Sequence, residues 1–412
     1  MFHTRRRPVS SVLVLGGTRP EPIRAAREAG LRIVYLGAAE RTPGAVLDDV
    51  DESVLLDHLT AEVVARAARD LHRRNPVGVV ITVLDEFQEV AAVLNEEFGL
   101  TANSADAVRT TNDKYRMRTK AIASTCAPVA HSSVRGAEDL RAFGRRNGYP
   151  FILKPVDGSA SRGITLVDDE SSMEAAALAF EADSRSAESS WIAEEFLCGP
   201  EFSVETFSGE GHHHVLAVTE KFKTDNFVEV GHLVPARIAD EDRVALEAEV
   251  TALLDAVGLT EGPAHTEVVL TSRGPRVVET HSRPGGDGIV ELVRLATGLD
   301  MQQLTFDWLA GKPVDLRPVQ PHRAAATWFL IPPQGTVATV TGLDEALKMP
   351  GVTEGYTAFE VGDVVLALHS SDDRGGAFIA VADDPETALT RAQAAASRVE
   401  IAVVAADAEP AS

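Results

Sequence analysis

The sequence contains very little cysteine, because only Cys126 and Cys198 occur among its 412 residues. Two cysteines cannot build a disulfide framework or a CxxC metal signature. We expect both thiols to be buried and unreactive, and the protein to be cytoplasmic, where thiols stay reduced. Long hydrophobic runs are also missing: the apolar VLVL that follows the basic start is too short for a signal peptide, and no run is long enough to cross a membrane.

Positive charge is scarce as well. The chain has 39 Lys and Arg against 62 Asp and Glu, a formal net charge of -23. Such acidity argues against general nucleic-acid binding, because phosphate backbones attract basic surfaces. It leaves room for a small basic pocket. The apolar fraction of 44% is ordinary for a soluble globular protein, and the length predicts two to four domains.

The first hundred residues alternate short apolar runs with amphipathic stretches. SVLVLG, LRIVYLG and VGVVITVLDE are typical of buried strands, and the stretches between them are typical of helices. This alternation predicts a small doubly wound α/β domain from Ser11 to about Ser104. The turn GGTRPEP lacks the GxGxxG pattern, so we favour a plain strand–helix turn over a phosphate site.

A hairpin near residue 275 carries the polar residues of greatest interest. AHTEVVLTSRGPRVVETHSR predicts two strands around a turn at residues 272–275. Alternation places Glu279, His281 and Arg283 on one face, and Glu267 lies on the partner strand. No cation side chain is obvious between the two glutamates, so we expect a divalent ion, Mg²⁺ or Mn²⁺, to compensate their charge. On the hairpin alone, two solvent-facing glutamates are equally compatible with the pattern.

Two further motifs suggest a nucleotide site. In FILKPVDGSASRG a lysine ends an apolar strand before a loop of small residues whose N–H groups could wrap a polyphosphate; an ordinary hairpin connection is the alternative. In EEFLCGPEFSVE, the first segment is expected to line a base and the later glutamate to hold ribose, although a solvated acidic edge fits the spacing equally. The candidate residues are Lys114, Lys154, Gly158, Ser159, Ser161, Gly163, Glu194, Glu195, Phe196, Leu197 and Glu201.

In this order the motifs resemble the ATP-grasp superfamily, over roughly Ser11 to Val403. The resemblance implies that two α+β subdomains grip ATP, and that a carboxylate is activated as an acyl phosphate and passed to an amine. It predicts an α/β domain at 1–110, a small subdomain with the glycine-rich loop at 111–200, a large subdomain with the metal site at 201–320, and a small α+β lobe at 321–412. By the same resemblance, Arg283 and the N–H groups near Gly285 and Gly286 stabilise the tetrahedral centre.

The stretch TEKFKTDNFVEVGHLVPA is similar to one in the amino-acid ligases that make dipeptides. That likeness implies substrate contacts for Glu229 and His232, and for Glu86, which we expect at the end of a strand. One position departs from the superfamily: His281 stands where E-x-N-x-R has Asn. Either water fills that metal position, or Mn²⁺ is tolerated better, or catalysis is weakened.

The expected activity is therefore an ATP-dependent carboxylate–amine ligase with metal ligands Glu267, Glu279 and His281. Small-molecule substrates are expected, an amino acid or other carboxylate plus an amine, and a homodimer is left open. The alternatives are another ATP-grasp ligase, of carboxylase or purine-pathway type, and a degenerate ATP-binding sensor or scaffold.

Overall fold

The computed structural model describes residues 7–124, 126–158, 160–182, 190–317 and 319–404. Their strands form four sheets, of four, four, eight and three strands. Within these ranges, none of the helices combines the length and the apolar character that a membrane crossing needs.

The N-terminal sheet is parallel, with strand order β3-β2-β1-β4. Its strands are β1 Ser11–Leu15, β2 Arg32–Ala38, β3 Glu52–Leu56 and β4 Val80–Ile81. The helices that follow are α1 Glu21–Glu28, α2 Gly44–Leu47, α3 Ala61–Arg74, α4 Asp85–Glu97, α5 Ala105–Asn112 and α6 Lys114–Ile122. Alternate residues of β1 and β2 enter two separate apolar cores, one on each face of the sheet. The predicted doubly wound α/β architecture is therefore confirmed.

A second, antiparallel sheet has the order β5-β8-β6-β7. Its strands are β5 His131–Val134, β6 Phe151–Pro155, β7 Thr165–Val167 and β8 Trp191–Glu195. Helices α7 Ala137–Asn147 and α8 Glu170–Ala182 accompany it. One core of aromatic and aliphatic side chains, Phe143, Phe151 and Trp191 among them, joins sheet and helices.

The largest sheet has eight strands in the order β13-β12-β9-β10-β11-β14-β18-β16. Its first five strands are β9 Glu201–Gly209, β10 His212–Lys223, β11 Glu229–Val234, β12 Gly262–Thr271 and β13 Gly274–His281. The predicted hairpin is confirmed as β12–β13, and Glu267 lies directly opposite Glu279. The helices of this part are α9 Asp240–Val257, α10 Ile289–Thr297 and α11 Met301–Leu309.

The C-terminal region continues the same sheet, because β14 pairs with β11. Its strands are β14 Ala324–Phe329, β15 Gly335–Thr341, β16 Val352–Thr357, β17 Val364–Val365, β18 Gly376–Ala382 and β19 Glu400–Val404. Its helices are α12 Leu343–Leu347, a 3₁₀ turn at Ser371–Asp373 and α13 Pro385–Arg398. The eight-stranded sheet therefore runs across the domain boundary expected at 320/321. Of the C-terminal strands described, β17, β15 and β19 form a separate sheet in the order β17-β15-β19.

The expectation for the cysteines is half right. Cys126 is buried, but Cys198 is exposed. Cys198 follows β8 in a loop, where no strand pairing draws it into a core, so the prediction of a buried thiol was wrong there.

Candidate active site

A cavity of about 150 Å³ is lined by residues of both the second sheet and the largest sheet. Many of the predicted nucleotide residues line it: Lys114, Lys154, Gly158, Ser161, Glu194, Glu195, Phe196, Leu197 and Glu201. Ser159 lies outside the described residues. The loop bends through Ala160, Ser161 and Gly163, whose φ angles are 56°, 59° and 75°. Two non-glycine residues in the left-handed region mark this loop as conformationally unusual.

One wall of this cavity is rich in cations. Glu194, on β8, lies 2.7 Å from Lys154 Nζ and 2.7 Å from Arg118 Nε. Burial alone would raise the pKa of Glu194, but Arg118 and Lys154 outweigh it and hold the pKa at about 2. We call Arg118, Lys154 and Glu194 the cation-rich cluster. It contains two positive charges for one negative charge.

Lys114 extends the positive wall toward the hairpin. It begins α6 directly after Asp113, whose side chain caps the helix by accepting from the Arg116 amide. Lys114 Nζ lies 2.9 Å from Glu279 Oε2 and donates to the Gly158 carbonyl at 2.7 Å. Burial lowers the pKa of Lys114, but Glu279 more than offsets it, so the pKa is raised and the lysine stays charged.

The opposite wall is rich in acids. Glu201, Glu229 and Glu267 each offer an oxygen within 4.8 Å of the others. The Lys221 ammonium lies among them, 3.5 Å from Glu201 and in closer contact with the other two, and Lys223 also pairs with Glu201. We call Glu201, Glu229, Glu267 and Lys221 the acid-rich cluster.

The pKa values of this cluster reflect its crowding. Burial raises the pKa of Glu229, and the attraction of Lys221 is too weak to reverse the shift. Burial acts on Glu267 in the same direction, but Lys221 and His265 lower its pKa below the ordinary range. The cluster therefore holds more carboxylate than its buried ammonium can balance.

The expectation that no cation side chain compensates Glu267 and Glu279 was wrong. Lys221 contacts Glu267 and Lys114 contacts Glu279. Both lysines come from elements distant in sequence, which the hairpin pattern alone does not show. In VTEKFK, strand alternation puts Lys221 and Lys223 on one face, a signal that could have found them.

Glu267, at the edge of the acid-rich cluster, and Glu279 nevertheless offer donors that fit a divalent cation. Their donor atoms are carboxylate oxygens, which Mg²⁺ and Mn²⁺ prefer. Glu279 lines the same cavity as the three clustered glutamates. Because buried carboxylates need compensation, an added cation would relieve their mutual repulsion.

Two imidazoles lie behind the glutamate pair. His265 and His281 are cross-strand partners, and their rings stack with centroids 6.4 Å apart. His265 Nε2 is 3.4 Å from Glu267, and His281 Nε2 is 2.9 Å from Glu279. Burial lowers the pKa of His265, but Glu205 raises it to about 10, so His265 is an imidazolium at neutral pH.

A larger cavity of about 850 Å³ begins where the hairpin ends, and Arg283, Gly285 and Gly286 line it. Arg283 donates to both oxygens of Asp85, at 2.5 and 2.8 Å. Burial lowers the pKa of Arg283, but Asp85 raises it above its ordinary value. Glu279 thus faces the smaller cavity and Arg283, four residues later, faces the larger one.

Asp287 joins three parts of the chain at this second cavity. Its carboxylate accepts from Arg374 at 2.7 and 2.9 Å, and His232 Nε2 lies 3.5 Å away. His232 is fully buried, and its Nε2 is also 3.9 Å from Glu229. The two residues predicted from the amino-acid-ligase likeness therefore meet around one loop aspartate.

Glu86 is placed differently from the expectation. The preceding strand ends at Ile81, and Glu86 lies on the first turn of α4 with an exposed side chain. The long apolar run VGVVITVLDE was wrongly extended to this point, because only two of its residues pair with β1. Its neighbour Asp85 contacts Arg283 instead. Sequence reasoning also missed Arg118, Asp287 and Arg374.

Comparison with known families agrees with this geometry. Residues 147–291 match the ATP-grasp domain, and residues 328–404 match the L-amino acid ligase C-terminal domain 2. The chain therefore contains an ATP-grasp domain, as predicted. Within that superfamily it resembles the L-amino-acid ligases.

Named relatives and a solved structure point the same way. The alanine–anticapsin ligase of Bacillus subtilis is 27% identical over 250 residues, 54% of this chain and 52% of that ligase. An L-arginine-specific L-amino acid ligase of Bacillus subtilis is 22% identical over 335 residues, 79% of this chain and 78% of that ligase. The L-amino acid ligase structure from Bacillus licheniformis superposes with a TM-score of 0.83 at 24% identity, covering 97% of this chain and 100% of that chain, which establishes the shared fold.

The chain spans about half the length of the alanine–anticapsin ligase that it matches, 52%. The names of these relatives describe ligases that act on amino acids.

Proposed function

We propose that the protein is an ATP-dependent carboxylate–amine ligase that joins amino acids through an acyl phosphate and releases ADP and phosphate. The observation that carries this proposal is the polarity of the smaller cavity. A cation-rich wall faces an acid-rich wall, and the hairpin leads from there directly to Arg283 in the larger cavity. Such a cavity suits a triphosphate at one wall and a divalent cation at the other.

The chain's own side chains supply the binding groups. Lys114 and Lys154 neutralise phosphate oxygens, and the described backbone of the glycine-rich loop offers N–H groups to them. Phe196 and Leu197 line the base, and Glu201 accepts from ribose hydroxyls. Glu267 and Glu279 would hold the divalent cation, Mg²⁺ or Mn²⁺, which supplies positive charge beside the phosphoryl oxygens. The contact between His281 and Glu279 supports a role in orienting that carboxylate.

The larger cavity takes the amino-acid substrates. Glu229, which lines the smaller cavity, and the fully buried His232 lie next to Asp287, which lines the larger one, and this proximity supports a role for both in holding the carboxylate substrate. When the amine attacks the acyl phosphate, negative charge builds on the carbonyl oxygen. Arg283 and the amides near Gly285 and Gly286 stabilise that charge, and Asp85 holds the guanidinium in place. Closing water out protects the acyl phosphate from hydrolysis.

The test is amine-dependent turnover. Purified protein is incubated with ATP, Mg²⁺ or Mn²⁺ and pooled amino acids, while ADP and phosphate are measured and products are identified by mass spectrometry. A ligase releases ADP and phosphate only when an acceptor amine is present, and a dipeptide mass appears. Glu267→Gln serves as the inactive control. ATP binding without amine-dependent phosphate release would contradict the proposal and favour the sensor alternative.

A further inference from the structure

Arg374 connects the C-terminal region to the loop of the larger cavity. It follows directly on the 3₁₀ turn at Ser371–Asp373 and belongs to the C-terminal stretch, beyond the matched ATP-grasp domain. Its guanidinium donates through Nη1 at 2.9 Å and Nη2 at 2.7 Å to the two oxygens of Asp287. The side chain is only 10% exposed. A bidentate contact of this kind fixes the orientation of the Asp287 carboxylate as well as its distance from the guanidinium.

The guanidinium is itself held from three sides. Its Nε donates to the Ser371 carbonyl at 2.7 Å, and Nη1 faces the Glu229 carbonyl at 3.4 Å. The group stacks over the Phe329 ring at 3.7 Å from the centroid. These contacts hold the Arg374 guanidinium in one position, and Asp287 binds to it there.

Asp287 needs such support because of its backbone. Its φ of 54° lies in the left-handed region, which residues other than glycine adopt infrequently. The residue lies between Gly286 and Gly288, at the end of the loop in which Gly285 and Gly286 line the larger cavity. A non-glycine residue held there needs stabilisation from outside its own backbone.

The other end of the loop is fixed by packing. A Cβ on Gly285 would lie 2.9 Å from His265 Nδ1 and 3.1 Å from Glu205 Oε2. Gly285 thus lies directly against the buried histidine–glutamate pair, and the loop cannot move toward it. Arg374 holds the opposite end, so the two contacts together determine where the loop amides point.

We propose that Arg374 is a positioning residue for the Gly285–Gly286 loop and acts through Asp287. The inference rests on the proposed ligase function, because the loop amides matter only if they stabilise a tetrahedral centre. Arg374 also lines the larger cavity, but its guanidinium is engaged by Asp287, Ser371 and Phe329, so we assign it no direct contact with the nucleotide or the reacting carbonyl. Its loss therefore affects transfer to the amine and leaves ATP binding intact.

The first test compares Arg374→Lys with wild type. Lysine keeps the charge and loses the two-pronged geometry. The yield of dipeptide per ADP is expected to fall about tenfold, because small misplacements of catalytic groups are costly, while the affinity for a fluorescent ATP analogue stays within about twofold. Arg323→Lys is the matched control: Arg323 donates to the Leu295 carbonyl, away from both cavities, and its substitution leaves the yield unchanged.

The second test uses glycine at position 287, which adopts a positive φ without help. If Arg374 acts through Asp287, the yield of Asp287→Gly combined with Arg374→Lys equals the yield of Asp287→Gly alone. A further loss of yield in the double variant would show that Arg374 acts elsewhere and would overturn the inference.

The remaining outcomes separate this inference from the proposed function. A wild-type protein that binds ATP but forms no peptide refutes the ligase proposal and the inference with it. A wild-type ligase whose yield survives Arg374→Lys refutes the inference alone. Loss of ATP binding or of the cooperative thermal transition in Arg374→Lys would show a merely structural role, and also overturns it.

Discussion

The cation-rich and acid-rich clusters line one cavity but are built in opposite ways. In the first, two cations satisfy one buried carboxylate, Glu194. In the second, three carboxylates surround one buried ammonium, Lys221, and Lys223 and His265 pair with Glu201 and Glu267 at its edge. The first cluster therefore depends on a single carboxylate, whereas the second crowds several carboxylates around one ammonium.

The difference predicts how much stability each cluster loses when one of its carboxylate charges is removed. A buried charge that loses its partners destabilises a protein, because its desolvation is no longer repaid. Loss of Glu194 leaves two buried cations without their shared carboxylate, whereas loss of one charge from the acid-rich cluster leaves Lys221 with two other carboxylates. Stability measurements on the two clusters should therefore give losses of very different size.

The largest effect on stability is expected for Glu194→Ala. This change leaves Arg118 and Lys154 buried without their carboxylate, so the free energy of unfolding should fall by about 3–5 kcal/mol. The matched variant in the acid-rich cluster is Glu229→Gln, which keeps the shape of the side chain and leaves Lys221 paired with Glu201 and Glu267, so it should change stability by less than about 1 kcal/mol. Urea denaturation of both checks the contrast, and equal losses would contradict it.

The stability difference between wild type and Glu194→Ala should also depend on pH. The pKa of Glu194 is about 2 in the fold, against an ordinary value of 4.5. A lowered pKa stabilises the fold above pH 4.5, and that contribution disappears as the pH falls toward about 2. The stability gap between wild type and Glu194→Ala should therefore narrow across this acid range. A gap that stays constant would argue against an ionised Glu194.

The next largest effect is expected for Arg283→Ala, and it is an effect on the rate of product formation. Removing one donor to a developing oxyanion costs about 3–4 kcal/mol of barrier, so product formation should slow at least about a hundredfold. The free energy of unfolding should change far less than in Glu194→Ala, because Arg283 lines an open cavity. Steady-state kinetics and urea denaturation on the same preparation make the comparison. Near-normal turnover would remove Arg283 from the reaction.

A smaller effect is expected for His281→Asn, which restores the superfamily's E-x-N-x-R pattern. His281 contacts Glu279 at 2.9 Å, and Asn can still donate a hydrogen bond to it from a shorter side chain. Activity with Mg²⁺ and with Mn²⁺ should fall by the same factor, up to about tenfold. A change in the ratio of the two activities would instead identify His281 as a metal ligand.

The smallest effect is expected for Arg162→Ala. Arg162 pairs with Asp372 at 2.6 Å, but the two side chains are 55% and 66% exposed. Exposed ion pairs contribute about 0.2–1 kcal/mol to the free energy of unfolding, and about 1 M salt screens them. Thermal melts at low and high salt should show a small difference that disappears with salt. A loss as large as that of Glu194→Ala would break the distinction between buried and exposed pairs.

The sequence predicted the hairpin well because its information is local. Alternation and the turn signal place Glu267 and Glu279 on paired strands of one hairpin, although the turn closes at Ser272–Arg273, because Gly274 and Pro275 already belong to β13. A register shift between Glu267 and Val268, which the pattern does not show, brings the two glutamates directly opposite each other. The glycine-rich loop and its lysine were also found locally.

The ion-pair partners could not be predicted in this way. Arg118 and Glu194 are 76 residues apart, and Lys221 and Glu267 are 46 apart. Which lysine meets which glutamate depends on the strand order β13-β12-β9-β10-β11, in which chain neighbours are not always sheet neighbours. Asp287 shows the same limit, because its partner Arg374 comes from the C-terminal region.

The pairing of β11 with β14 has a practical consequence for protein engineering. Gly231 to Val234 pair with Ala325 to Trp328, so a cut at residue 320 would remove the strand that covers one edge of β11. The exposed edge of β11 would then be free to pair with strands of other chains. Chimeras that swap C-terminal segments between homologues must therefore transplant β14, β18 and β16 together with a compatible β11, or they will aggregate before specificity can be assayed.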